Sequence, residues 1–281
     1  MKDFKDKVAV VTGAASGIGR GLAERFAAEG MHVVLADVEA PALEQAAQDM
    51  TAAGASVLAV RTDVSKAADV QALAGRTIER FGKVHILCNN AGVGGGASAW
   101  DTSAEDWQWV LGVNLWGVVH GVSAFVPLMI QGGEEGHIVN TASVAGLMPG
   151  AGGASYTASK FAIVGYSESL YYELLMGGNG RIGVSVLCPA ATATRIIDSD
   201  RNRPGGPQER PAPGTQEAMM LDVIRGALAA GQTPAEVAGK VFDAIVAGRF
   251  YILTHPEHNG VITKRAEAML AGTPPPAIGM A

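Results

Sequence analysis

Residues 8–19 read Val8-Ala9-Val10-Val11-Thr12-Gly13-Ala14-Ala15-Ser16-Gly17-Ile18-Gly19. The apolar run that ends at Thr12 does not alternate with polar residues, which predicts a strand buried on both faces. The glycines after it let the backbone turn tightly and come close to an anion. A helix opening near Gly17 aims its free N–H groups and positive dipole end at the same point, an arrangement that holds a pyrophosphate. A lone glycine cluster reads equally as an ordinary strand–helix turn. Here it stands between a strand and a helix, the context that gives the motif meaning.

Short apolar runs and longer amphipathic stretches keep alternating through most of the 281 residues. Further strands are predicted at His32–Asp37, Ser56–Thr62, Val84–Asn89, Gly136–Ala142, Ile182–Cys188 and Phe250–Leu253. Helices are predicted near 17–30, 41–53, 66–81, 103–131, 155–176 and 234–247. The implied fold class is α/β: a doubly wound Rossmann fold with a seven-stranded parallel sheet, helices on both faces and a single domain over residues 1–271. One stretch breaks the rhythm. No strand is predicted between Thr194 and Thr233, and 203–214 is dense in Pro and Gly. Residues 195–230 are therefore expected to form a substrate lid. Residues 272–281, which contain Pro274-Pro275-Pro276, are expected to be a flexible tail.

The formal net charge is −6 and no run of Lys or Arg occurs, which excludes the nucleic-acid-binding classes. The first apolar stretch is too short for a signal peptide or membrane anchor, so no membrane partner is expected. Cys88 and Cys188 sit in strand-like runs. They form either a disulfide or two inert buried thiols; the second reading points to a reducing, cytoplasmic compartment. His255-Pro256-Glu257-His258 looks like a metal site, but Pro256 prevents a regular helix through the pair and no third ligand is near. A surface loop and no metal are expected there.

Asp37 ends the second strand, 18 residues past Gly19. An acid at about that distance accepts from a ribose 2′-OH and repels a 2′-phosphate, and neither Ser16 nor Val38 is basic. NAD is thus favoured over NADP. Asp37 read alone is also an ordinary helix cap. Asp63, after the third strand, is placed to accept from an adenine amino group.

Tyr156 and Lys160 are four apart in a predicted helix and share a face. Unperturbed tyrosine, with a pKa of about 10, is a poor base at neutral pH, and a nearby ammonium favours tyrosinate. A tuned Tyr156 exchanges a proton with an alcohol or carbonyl oxygen. Ser143 closes the fifth strand, at the edge where doubly wound sheets bind ligands, and its hydroxyl is placed to hold the substrate oxygen. Separately, such a Tyr–Lys pair is commonplace on helix surfaces and such a Ser in loops.

Together, Thr12–Gly19, Asp63, Asn89-Asn90-Ala91-Gly92, Asn114, Ser143, Tyr156, Lys160 and the Pro189…Thr194 segment resemble the classical short-chain dehydrogenase/reductase family. The resemblance is close over about 1–194 and looser beyond. It implies that Tyr156 is the general acid/base, Ser143 orients the substrate oxygen, and Lys160 binds the nicotinamide ribose and lowers the Tyr156 pKa. It implies that Asn114 holds a water in a proton relay. The implied cofactor contacts are Gly13, Ser16, Gly17, Ile18, Gly19, Asp37, Asp63, Val64, Asn90, Ala91, Gly92, Tyr156, Lys160, Pro189, Ala190, Thr192 and Thr194, with Thr194 on the nicotinamide carboxamide. A homodimer or homotetramer through helices 103–131 and 155–176 is implied as well. Two positions depart from the pattern: Ala190 stands where the family usually has Gly, and Thr192 where it usually has an aliphatic residue.

Substrate contacts are expected from Ser143, Ala145, Met148, Gly153, Tyr156, Ala190 and Ile196. The wider walls are Val93–Gly96, 145–148 and 150–153, with Ile197, Met219, Met220 and Leu221 in the lid. These residues are mostly apolar or small, so the expected partner is a small hydrophobic secondary alcohol or ketone. Arg195 and Arg201 are the charged exceptions. The alternatives are an NADP-dependent carbonyl reductase, disfavoured by Asp37, and a sugar epimerase of the extended relatives, disfavoured by the glycine spacing. A third is a catalytically silent NAD-binding sensor, which the intact Ser143, Tyr156 and Lys160 disfavour.

Overall fold

The computed structural model describes residues 1–95, 98–150, 153–207 and 211–276, with only the backbone at 216 and 217. Gly96, Ala151 and Gly152 of the expected substrate walls lie outside the described residues. So do 208–210 of the expected lid and 277–281 of the expected tail.

Every residue of β1 (Val8–Thr12) is buried. Its side chains still divide by face, as a pleated strand requires. Val8 and Val10 enter one core, Ala9 and Val11 the other. This two-sided burial is why the strand reads as a continuous apolar run. β1 pairs in parallel with β2 (His32–Asp37) and β4 (Ile86–Asn89). With β3 (Val57–Arg61), β5 (Gly136–Thr141), β6 (Ile182–Cys188) and β7 (Tyr251–Leu253), the sheet runs β3-β2-β1-β4-β5-β6-β7, parallel throughout. The expected doubly wound, seven-stranded fold is the fold observed. The chain order reverses between β1 and β4, and ligands of such sheets bind in the crevice beyond the strand ends there.

α1 (Gly17–Ala28), α2 (Ala40–Ala52) and α8 (Pro234–Ala247) cover one face, where Leu22, Phe26, Leu43, Val241 and Ile245 pack with Val11 and Leu35. α3 (Ala67–Phe81), α5 (Gly117–Gly132) and α6 (Ala154–Met176) cover the other, where Leu73, Phe125 and Leu170 pack with Val10, Val34 and Ile138. Phe26 and Phe125 are fully buried; truncating either to Ala costs about 3–5 kcal/mol.

Three differences from the sequence expectation matter. The helix predicted over 103–131 is α4 (Ala104–Leu111), a π-helical turn (Gly112–Trp116) and α5. The run Ala104–Gly132 is long and apolar enough to cross a membrane, but half of its apolar window is buried in the fold. The region expected to form the lid holds a 3-10 segment, Ile196–Asn202, and α7 (Gln216–Ala229). A last helix, α9 (Asn259–Ala271), follows a short 3-10 turn at Pro256–His258. No residue of α9 is buried, so it carries no apolar stripe for a periodicity argument to find.

Candidate active site

The crevice begins at the glycine turn. Gly13 and Gly17 take φ of +66° and +55°, the left-handed region open to glycine. A Cβ on Gly13 would lie 2.9 Å from the Ala91 Cα, and one on Gly17 3.1 Å from the Thr194 methyl. The turn is thus pressed between the segments that follow β4 and β6. Thr12 ties it down: its hydroxyl accepts from the Asn90 and Ala91 N–H groups, and its carbonyl accepts from Asn90 Nδ2 at 3.0 Å. Ser16, the N-cap of α1, makes no side-chain capping bond. The first N–H groups of α1 therefore keep their capacity for an anion. Ile18 is half-buried behind them, against the core.

Asp37 faces the same crevice. One of its oxygens accepts from Ala15 N–H and the other from Glu39 N–H, both at 3.0 Å. Burial pushes its carboxyl up from the ordinary value, and these backbone bonds pull it back. Glu39, not Asp37, is the N-cap of α2, so Asp37 is not that helix's cap. Asp63 is turned to its own loop, accepting from Ser65 N–H and Oγ and pairing with Lys66 at 3.1 Å. The Val64 carbonyl meets His120 Nδ1 at 2.9 Å, and a Cβ on Gly117 would strike the Val64 side chain.

The catalytic candidates converge at the same strand ends. Ser143 lies two residues past the end of β5; its hydroxyl accepts from Ala145 N–H and lies 3.4 Å from the Pro189 carbonyl. Tyr156 and Lys160 lie in the first two turns of α6. The buried Lys160 ammonium donates to the Thr141 carbonyl at 3.0 Å and stands 5.4 Å from the Tyr156 ring centroid. Burial lowers its pKa to about 8. The expected lowering of the Tyr156 pKa by Lys160 is not what the free chain shows. Burial pushes the phenol up, and the Ser143 hydroxyl, not Lys160, pulls it down. The ammonium makes its bond to the Thr141 carbonyl and stands over the Tyr156 ring.

Asn114 is fully buried, and the π turn aims it inward. Its Oδ1 accepts from Val93 N–H at 2.8 Å, and its Nδ2 donates to the Val93 carbonyl and to Ser159 Oγ. The side chain is engaged in holding the post-β4 segment to α6. Gly92 sits between the two groups of the expected relay: a Cβ there would be 3.4 Å from Asn114 Oδ1 and 3.6 Å from Lys160 Nζ. Sequence reasoning missed Ser159, whose only mark is its place three residues after Tyr156.

Among the expected substrate contacts, Val93, Met148 and Gly153 are buried, while Ala145 and Ile196 are partly so. Met219 and Met220 are more than half exposed on α7, so their proposed place in the substrate wall is not reproduced. The segment expected to form the lid is tied down by polar side chains. Ser199 Oγ accepts from Gly94 N–H at 2.8 Å, and Arg201 and Asn202 reach Glu39 across the crevice. Arg203 pairs with Asp106 and lies over the Trp109 ring. Among the described residues no cluster of three metal-binding side chains occurs. Cys88 and Cys188 are both free and buried.

The model of the family described as short chain dehydrogenase matches residues 7–204. This chain belongs to the short-chain dehydrogenase/reductase family. A member from Burkholderia phymatum, solved in complex with NAD, is 45% identical and covers 100% of both chains with a TM-score of 0.95. The CLA biosynthesis dehydrogenase/reductase of Lactiplantibacillus plantarum is 37% identical over 278 residues, 98% of this chain and 97% of that protein. The 1-deoxy-11-beta-hydroxypentalenate dehydrogenase of Streptomyces exfoliatus is 38% identical over 257 residues, 90% and 85% of the two. The chain is thus an oxidoreductase of this family. Its two departures are accommodated locally. Ala190 N–H donates to Thr254 Oγ1 at 3.3 Å, and the buried Thr192 turns its hydroxyl back onto the Ala190 carbonyl.

Proposed function

We propose that this enzyme moves a hydride between NAD and a hydrophobic secondary alcohol or ketone, with Tyr156 as general acid/base. The observation that carries the reading is the convergence of Ser143, Tyr156 and Lys160 beside the glycine cradle at one sheet edge. The cradle fits the cofactor: no Cβ is tolerated at Gly13 or Gly19, and the N-terminus of α1 is uncapped by Ser16. Gly13, Ser16, Gly17, Ile18 and Gly19 would hold the pyrophosphate and Asp37 the adenosine ribose. Asp63 and Val64 would line the adenine, and Asn90, Ala91 and Gly92 would lie under the nicotinamide side. Pro189, Ala190, Thr192 and Thr194 would border the nicotinamide. Bound NAD supplies the hydride acceptor. Asp37 disfavours a 2′-phosphate, which sets the NADP-dependent alternative second.

In alcohol oxidation the Ser143 hydroxyl donates to the substrate oxygen and fixes it against the Tyr156 phenolate. Tyr156 takes the hydroxyl proton as the C–H bond breaks; in ketone reduction it returns that proton. Lys160 steadies the ribose side and places a positive charge near the ring. Asn114 is assigned to hold a water that continues the proton relay from Lys160 to solvent. The apolar Val93, Ala145, Met148, Gly153, Ala190 and Ile196 favour a neutral, apolar substrate. The name of one relative, a hydroxypentalenate dehydrogenase, agrees with a hydroxylated substrate; that substrate is a carboxylate, so the name does not bear on neutrality.

Residues 195–230 are assigned as the substrate lid and 272–281 as a tail outside the domain. Exposed Trp116, Tyr172, Leu175 and Met176 support a homodimer or homotetramer through the helices of 104–132 and 154–176. The free thiols agree with a reducing, cytoplasmic setting. A panel of secondary alcohols assayed with NAD, read as absorbance of reduced nicotinamide, tests the reading. Turnover confined to apolar alcohols supports it. NAD binding with no turnover on any alcohol or ketone replaces it with the silent-sensor reading.

A further inference from the structure

The segment Ala190–Thr194 leaves the sheet at β6 and carries the residues assigned to the nicotinamide side. Its backbone is not held by helix or strand partners beyond one isolated bridge, Thr192 to Gln232. It is held from outside by the residue before α8 and the residue after β7. Gln232, just before α8, brackets it with its backbone: Gln232 N–H donates to the Ala191 carbonyl at 3.0 Å, and its carbonyl accepts from Ala193 N–H at 2.8 Å. Thr254, just after β7 and fully buried, accepts from Ala190 N–H. The Thr254 hydroxyl also lies 2.7 Å from His255 Nδ1.

These two clamps are joined by one cation. The Lys240 ammonium, from α8, donates to Gln232 Oε1 at 2.9 Å and to the Thr254 carbonyl at 2.6 Å. Gln232 Nε2 donates to that same carbonyl at 2.9 Å. Gly231 makes the close approach possible, because a Cβ there would lie 2.8 Å from Thr192 N. The same connection also reaches the phosphate end of the crevice. Pro234, two residues after Gln232, packs on α1 so closely that a Cβ on Gly21 would lie 2.7 Å from its carbonyl oxygen. One junction thus fixes the nicotinamide-side segment relative to the helix at the pyrophosphate.

We propose that Lys240, acting through Gln232 and Thr254, is a positioning residue that sets the Ala190–Thr194 segment against the nicotinamide end of the cofactor. It touches neither cofactor nor substrate. A charge-assisted bond to a buried carbonyl is among the stronger hydrogen bonds, and a small displacement at a reacting centre is expensive in rate. The assignment rests on the proposed NAD-dependent reaction and concerns only the nicotinamide half of the cofactor.

The test compares NAD with ADP-ribose, which shares the adenosine and pyrophosphate but lacks nicotinamide, by calorimetric titration of unmodified and Lys240→Met protein. Lys240→Met should leave the Kd for ADP-ribose unchanged within error. It should weaken NAD and lower kcat by about tenfold each, and Lys240→Arg should restore most of both. Thr254→Val removes the hydroxyl on Ala190 N–H but keeps the carbonyl that Lys240 holds, so it tests that clamp and should give the same selective loss; Lys240→Gln serves if Lys240→Met does not fold. Equal weakening of NAD and ADP-ribose, or no change in either, overturns the proposal. Unmodified protein that binds neither ligand overturns the proposed function itself, and this assignment with it.

Discussion

Replacing Gly19 by Ala tests the cradle at its tightest point. A Cβ there would lie 2.6 Å from Asn90 Nδ2 and 2.7 Å from the Gly13 carbonyl carbon, and nearer still to the Gly13 oxygen. Favourable contacts between heavy atoms lie at about 3.5–4.0 Å, so α1 and the turn must part by about 1 Å. Neither neighbour can swing away: one is backbone, and Asn90 Nδ2 is bonded to the Thr12 carbonyl. Overpacking of this kind costs about 1–3 kcal/mol, and each kcal/mol lowers the Tm of a domain near this size by about 2–4 °C. The displacement also moves the N–H groups that would face the pyrophosphate, so NAD affinity falls with stability. Gly75, exposed in α3 with nothing within 4 Å of a Cβ, is the control. Gly75→Ala should gain up to about 1 kcal/mol through helix propensity. Scanning calorimetry and NAD titration on both variants decide. Gly19→Ala with unaltered Tm and NAD affinity would refute the steric account of the turn.

Asp37→Ala should weaken NAD and strengthen NADP, narrowing a preference read by titrating both; unmodified protein that prefers NADP removes Asp37 from the ribose. Ser143→Ala removes the hydroxyl that pulls the Tyr156 pKa down, so that pKa rises. Oxidation needs the phenolate, so the ionisation in kcat/KM for alcohol moves to higher pH; a shift to lower pH contradicts the assignment. Lys160 has a folded pKa of about 8 against 10.5 in the unfolded chain. The unfolded state binds more protons between these values, so Lys160 adds stability as pH rises from about 8 to 10.5. The stability difference between unmodified protein and Lys160→Met, followed across that window, should shift in favour of the unmodified chain; a flat difference means Lys160 titrates normally.

The fold was legible because burial on two faces writes itself into the strands. Val8–Thr12, His32–Asp37 and Ile182–Cys188 were predicted to the residue, and the other four strands within a residue or two. α7 and α9 were not legible because they are mostly exposed; Met219, Met220 and Val223 follow no stripe against a core. The break at Gly112–Trp116 has no mark in the apolar pattern, yet it turns Asn114 inward. Ser143, Tyr156 and Lys160 were legible as residue types at a spacing, but their electrostatics were not. Whether the Lys160 ammonium reaches the Tyr156 phenol or the Thr141 carbonyl depends on side-chain direction, which spacing along α6 leaves open. The ties that Ser199, Arg201 and Arg203 make join positions up to 162 residues apart, beyond any local pattern.

The central claim is that Tyr156 moves the proton. In Tyr156→Phe the ring, its packing and the cradle remain, and only the hydroxyl at the reacting oxygen is lost. General acid–base catalysis is worth about 10²–10⁴ in rate, so kcat/KM for alcohol oxidation should fall at least that far. NAD affinity, measured by titration on the same preparation, should stay within error of the unmodified protein. Lys160→Ala, by contrast, should damage both quantities. A Tyr156→Phe protein that turns over within a few-fold of the original contradicts the mechanism, even with the fold and the NAD site intact.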